Sequence, residues 1–140
     1  MTRREARTAA FELIFEYDFK RNYEPDTVIA NAAECREIKF SGFAKRLFKG
    51  ACEHIGEIDG YIAEFAEGRE LDRISRELLA ALRICVYELF FEKDIPVNIS
   101  VNEAVEIAKK YDTEEGASYI NGVLGSIISK NKEKIVKDAE

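Results

Sequence analysis

Apolar residues recur along this chain at intervals of three and four, and they rarely alternate with polar ones. Ala6, Ala9, Ala10, Leu13 and Tyr17 make one such stripe. Phe43, Leu47, Ala51, Ile55, Ile58, Ile62 and Phe65 make another. Leu71, Ile74, Leu78, Leu82, Cys85 and Leu89 form a third, widened by Leu79, Val86 and Phe90. Val101, Ala104, Val105, Ala108 and Tyr111 follow, then Ala117, Ile120, Leu124, Ile127 and Ile128. This periodicity predicts amphipathic helices. Period-2 runs and hairpin turn pairs are missing, so the fold class is all-α, with six or seven helices. The stretch 71–91 is apolar over most of its girth, which marks it as the central, buried helix. A chain of 140 residues suits one compact domain, here divisible into two small bundles sharing a core.

Boundary signals refine these elements. Thr2-x-x-Glu5 is a capping-box pattern opening the first helix. Pro25 suits the first turn of a short helix over about 25–34. Ser41 can cap the next, and its glycines predict a bend or break near Gly56. Lys93-Asp94-Ile95-Pro96 ends the central helix, because the residue before proline avoids the helical region. Ser100-x-x-Glu103 is a second capping-box pattern, followed by a Glu106–Lys110 pair spaced for an ion pair. Thr113, with Glu114 and Glu115 behind it, opens the last helix. Gly122 and Gly125 within that helix each cost about 1 kcal/mol relative to alanine, and close packing against a neighbour would justify them. Residues 1–130 read as the domain and 131–140 as a polar, frayed tail.

Composition narrows the function classes. The longest apolar runs fall far short of the roughly 20 residues a membrane span needs. The charged N-terminus lacks the apolar core of a secretory signal, so a cytoplasmic protein is expected. Three cysteines without a C-x-x-C pair, and one histidine, His54, support neither a disulfide framework nor a metal site. They read as reduced, mostly buried thiols and a helix-surface or helix-boundary imidazole. The many carboxylates sit among lysine and arginine neighbours, and no nucleophile has a local histidine arrangement. The expectation is a protein that is not an enzyme and needs no cofactor. The net charge of −6 repels phosphate on average, so nucleic-acid binding requires a local basic patch or a basic partner.

One face offers such a patch. Projected at 100° per residue, Arg4, Arg7, Phe11 and Phe15 share a stripe beside the core face, with Arg3 at its border. Arginines that pair with phosphate, interleaved with rings that stack on unpaired bases, suit single-stranded RNA. The plainer alternative is that Phe11 and Phe15 widen the buried face and the arginines are a solvated helix start. Tyr119 poses the same choice, lying off the Ala117–Ile120–Leu124 stripe.

Several segments, in order, resemble the NusB family of bacterial transcription antitermination factors. REAR (4–7) before an alanine- and aromatic-rich helix is similar to that family's arginine-rich N-terminus. ALRICVYELFFEKDIP (81–96), ISVNEAVEIAKKY (99–111) and YINGVLGSI (119–127) are similar to its other segments. The resemblance implies an all-helical fold of two small bundles. It implies binding to the boxA element of nascent RNA with NusE, the small-subunit ribosomal protein that is its partner, in the transcription elongation complex. On matching positions it implies RNA contacts at Arg3, Arg4, Arg7, Phe15 and Tyr119. The family's frequent tryptophans are absent, with Tyr17 at the first of those places. Two rival readings are a helical protein-interaction adaptor and a stand-alone relative of the RNA-binding domain of ribosomal RNA methyltransferases.

Overall fold

A computed structural model describes residues 1–66 and 68–138. Among them are seven α-helices: α1 (Arg3–Tyr17), α2 (Pro25–Arg36), α3 (Gly42–Glu53), α4 (Ile55–Phe65), α5 (Arg76–Phe91), α6 (Val97–Tyr111) and α7 (Glu114–Lys130). A single 3-10 turn, Leu71–Arg73, precedes α5. None of the helices among the described residues is long and apolar enough to cross a membrane.

Local chemistry explains most of the helix starts. The Thr2 hydroxyl accepts from the Glu5 backbone N–H at 3.0 Å, and the Thr2 N–H donates to Glu5 Oε1 at 2.7 Å, which completes the capping box. Ser41, Ser75 and Thr113 cap α3, α5 and α7 by accepting from the backbone three residues on. The break in the second stripe falls at His54, two residues before Gly56, which lies exposed within α4. The His54 ring stacks on Phe91, centroids 4.0 Å apart, and holds the corner there.

The second capping box does not exist. α6 begins at Val97 directly after Pro96, so Ser100 already lies inside the helix. Ser100 is buried, and its hydroxyl donates to Glu88 Oε1 at 2.8 Å. Glu106 meets Lys109 at 3.5 Å, while the Lys110 ammonium lies over the Tyr111 ring. The glycines also differ from expectation. A Cβ at Gly122 or Gly125 would meet open space, whereas one at Gly50 would collide with the Tyr87 ring. Close approach is thus found at Gly50, where α3 lies on α5, and at Gly116, at the start of α7 against Asp112 and Leu78.

Residues Leu78–Leu89 of α5 are all buried, as its wide apolar girth requires. The helices α1–α3 pack together on one side of α5, and α4, α6 and α7 on the other. One continuous apolar core runs through both groups. Between α7 and Asp138 the chain packs back on the fold: Ile135 and Lys137 are buried, and the Asp138 N–H donates to the Lys93 carbonyl at 2.8 Å, while 139–140 of the expected frayed tail lie outside the described residues. The polar sequence of this segment predicts fraying. It returns because a buried ammonium meets two carbonyls at the end of α5, which local periodicity does not reveal.

Candidate nucleic-acid interface

The first turn of α1 and the exposed side of α3 meet around Phe43. The Arg3 guanidinium carbon lies 3.9 Å from the centre of that ring, with Arg46 at 5.1 Å and Arg7 at 5.5 Å. Exposed Arg3 and Arg46 therefore flank one half-buried aromatic ring. Arg4 is exposed too, and its Nε and Nη2 donate to Glu103 of α6 at 3.3 and 3.0 Å. On α3, Lys45, Arg46 and Lys49 are exposed, with no carboxylate in that helix before Glu53. Lys49 reaches Asp26 at 2.9 Å. Arg46 donates from Nε and Nη2 to both oxygens of Glu92, each at 3.0 Å. The α3 cations escaped the sequence reading, which followed only that helix's apolar stripe. The Lys-Arg-x-x-Lys run within it was the available signal.

The single stripe inferred on α1 divides into three environments. Arg4 faces solvent. Arg7 is 5% exposed, and Phe11 is buried against Tyr111, ring centroids 4.8 Å apart. The packing of α6 on this side of α1 turns a solvent-facing position into core. Arg7 Nε donates to both Glu88 oxygens, at 3.1 and 3.0 Å, and its Nη1 lies 3.7 Å from Glu103. Burial pushes the Glu88 carboxyl above its usual range, opposed by Arg7 and the Ser100 hydroxyl.

Phe15 lies eleven residues beyond Arg4, about 16 Å along the helix axis. It packs edge-on against Phe19, centroids 5.6 Å apart. Together with Phe11 and Tyr111 they line a groove of about 580 Å³ whose polar lining includes Glu12, Glu16 and Glu77. The cations there, Arg36 and Lys20, already lie within 3.8 Å of Glu12 or Glu16. With three carboxylates against two cations the lining is slightly acidic, which favours a cationic or apolar partner over phosphate. Tyr119 is placed elsewhere, on α7 against the end of α4. It is half-buried, its hydroxyl donates to the Ala66 carbonyl at 2.9 Å, and Arg69 lies 4.2 Å above its ring. Of the five sequence-derived residues, Arg3 and Arg4 therefore share an exposed surface. Arg7 supports that surface from below, and Phe15 and Tyr119 lie apart from it.

Comparison with known proteins bears directly on this arrangement. The model of the NusB family matches residues 4–129. The chain belongs to the NusB family. The transcription antitermination protein NusB of Clostridium acetobutylicum is 40% identical over 136 residues, covering 96% of this chain and all of that protein. Among solved structures, T. maritima NusB aligns with a TM-score of 0.80 and 34% identity, covering 96% of each chain. A structure of the antitermination factors NusB and NusE in complex with dsRNA aligns with a TM-score of 0.80 and 31% identity. It covers 93% of this chain and 99% of that NusB. The arginine surface, the acidic aromatic groove and the Tyr119–Arg69 pair thus all lie within the shared NusB fold.

Proposed function

We propose that this chain is an RNA-binding transcription antitermination factor of the cytoplasm. In this reading it binds boxA-type single-stranded RNA with ribosomal protein NusE in the transcription elongation complex, chiefly at ribosomal RNA operons. It acts by assembling a complex and not by catalysis. The observation that supports RNA binding with NusE is the near full-length match to a NusB in complex with NusE and dsRNA; the preference for single-stranded boxA RNA rests on the family resemblance.

Within that reading, Arg3 and Arg4 take phosphate at the start of α1. Buried Arg7 holds the helix that presents them. Tyr119, under Arg69, is a second and separate place for a base to stack. The groove around Phe15 takes the protein partner. Its carboxylates complement a basic ribosomal protein, and its exposed ring, Phe19, offers apolar area at the centre of such a contact. Binding of NusE there would offset the net charge of −6 that opposes RNA. Solo affinity for RNA is therefore modest and rises strongly with the partner.

The test is a titration of boxA-type RNA and a scrambled RNA, each with and without NusE, at several salt concentrations. The reading requires preference for the boxA sequence and a marked gain with NusE. Equal binding of both RNAs in every condition would remove the sequence-specific role. NusE binding with no RNA binding would leave a protein-interaction adaptor.

A further inference from the structure

We propose that Arg46 is an additional phosphate contact and that the segment after α7 holds it in place, with Lys137 and Glu92 as positioning residues. The inference rests on the RNA-binding reading for its functional side, and on packing alone for its mechanical side.

The mechanical side begins at the end of α5. Carbonyls at the end of a helix carry partial negative charge and have a second lone pair for a cationic donor. Lys137 Nζ donates to the carbonyls of Glu88 and Glu92 at 2.8 and 2.6 Å. The Asp138 N–H donates to the next carbonyl, Lys93, at 2.8 Å. Ile135 inserts into the core between these ties and the end of α7. A buried ammonium is costly unless its surroundings are organised around it, so this segment is a strap fitted to the end of α5.

Glu92 is where the strap meets the basic surface. Lys137 grips its backbone carbonyl. Its side chain accepts from Arg46 in bidentate fashion and from the Tyr87 hydroxyl at 2.9 Å. The Tyr87 ring in turn fills the space that Gly50 leaves open on α3. One edge of the Arg46 guanidinium is thereby fixed. The side chain remains half exposed, which leaves Nη1 free to face a ligand beside Phe43 and Arg3. A guanidinium held on one edge by carboxylate loses little further freedom when its other edge meets phosphate. The chain of contacts is Lys137, Glu92, Arg46, Phe43, and it links the C-terminal segment to the start of α1.

The experiment uses the full chain and boxA-type RNA. Arg46→Met removes one phosphate contact, so affinity falls about five- to tenfold near 0.1 M salt and the salt slope drops by about 0.7. Lys137→Met gives a similar loss, and the double variant loses no more than either alone. Glu92→Asp keeps the charge but withdraws the carboxylate by one methylene, and it reproduces the loss. Additive losses in the double variant, or wild-type affinity in Glu92→Asp, would overturn the proposal. If Lys137→Met does not fold, Glu92→Asp with Arg46→Met supplies the same cycle. The Arg46 Nε–H resonance gives a readout without RNA: slow exchange in the wild type, lost in Lys137→Met and in Glu92→Asp. Persistence of that protection sinks the strap. Absence of RNA binding by the wild type sinks the functional reading and leaves the strap to be decided by the resonance.

Discussion

Arg7 of α1 closes on Glu88 of α5 with both side chains inside the core, 5% and 1% exposed, its Nε 3.1 and 3.0 Å from the two carboxylate oxygens. Ser100 of α6 donates to the same carboxylate at 2.8 Å. Three helices are therefore pinned at one point, directly beneath the exposed arginines. A charge pair of this kind is costly to break, because the surviving partner stays buried without compensation. Arg7→Met should lower the unfolding free energy by about 3–5 kcal/mol, measured in urea. Arg4→Ala should leave the urea midpoint where it is, while lowering the RNA salt slope by about 0.7. The reverse pattern would place Arg7, and not Arg4, at the RNA.

Asp18 supplies a pH dependence of defined sign. Burial pushes its carboxyl up, but Arg83, Arg76 and Arg21 outweigh that and hold it below its usual range. Its folded value thus lies under its unfolded value of about 3.9. The stability this provides is present above the unfolded value and is lost as pH falls through the folded one. Glu88 has the opposite sign: its raised carboxyl costs stability as pH climbs from about 4.3 through its folded value. Asp18→Asn should destabilise the protein by on the order of 2 kcal/mol at neutral pH and flatten the acid limb of the stability profile. Urea unfolding between pH 2 and 7 checks this, and an unchanged acid limb would assign acid unfolding to other carboxylates.

Glycine substitutions should diverge by location. At Gly122 and Gly125 an added methyl meets open space on an exposed helix face. Alanine there should stabilise by about 0.5–1 kcal/mol per site through helix propensity and the unfolded chain. At Gly50 the methyl would enter the Tyr87 ring. Alanine there should destabilise by about 1–3 kcal/mol through overpacking. Thermal unfolding of the three single variants would reveal the sign in each case. If RNA or NusE affinity falls in a stabilised Gly122 or Gly125 variant, that open face belongs to a partner.

Phe15 distinguishes the proposed RNA surface from the proposed protein-docking groove. Its ring sits in the carboxylate-rimmed groove and not beside Arg3 and Arg4. Phe15→Ala should weaken NusE binding by about 1–3 kcal/mol, as loss of a central aromatic anchor does. The RNA affinity of the chain alone, and its salt slope, should stay at the wild-type level. A fall in solo RNA affinity with NusE affinity intact would return Phe15 to the RNA surface, as its position in the sequence motif implies.

Much of the fold was legible locally. The Thr2 cap with its Glu5 reply, the Ser41 and Thr113 caps and the proline stop before α6 all act within one turn of chain, so neighbours in sequence suffice to read them. The break expected near Gly56 falls at His54, where stacking on Phe91, far along the chain, fixes the exact corner. Ser100 and Glu103 were misread for a related reason. They carry the pattern of a cap, but Pro96 starts the helix earlier, and their side chains answer to Glu88, Arg4 and Arg7.

The candidate site shows the same boundary. Arg3 and Arg4 were recognisable from charge and from their place at the start of an amphipathic helix. Their neighbours on α3, and the burial of Arg7, were not. Periodicity by itself determined the all-helical class, the central role of α5 and the order of the elements, because each follows from the spacing of apolar side chains along one helix. Only the tertiary structure decided which cations stay exposed, which aromatic lines which surface, and that the polar segment through Asp138 returns to grip α5. Those outcomes depend on which helix covers which face, and a side chain's solvation is set by neighbours distant in sequence.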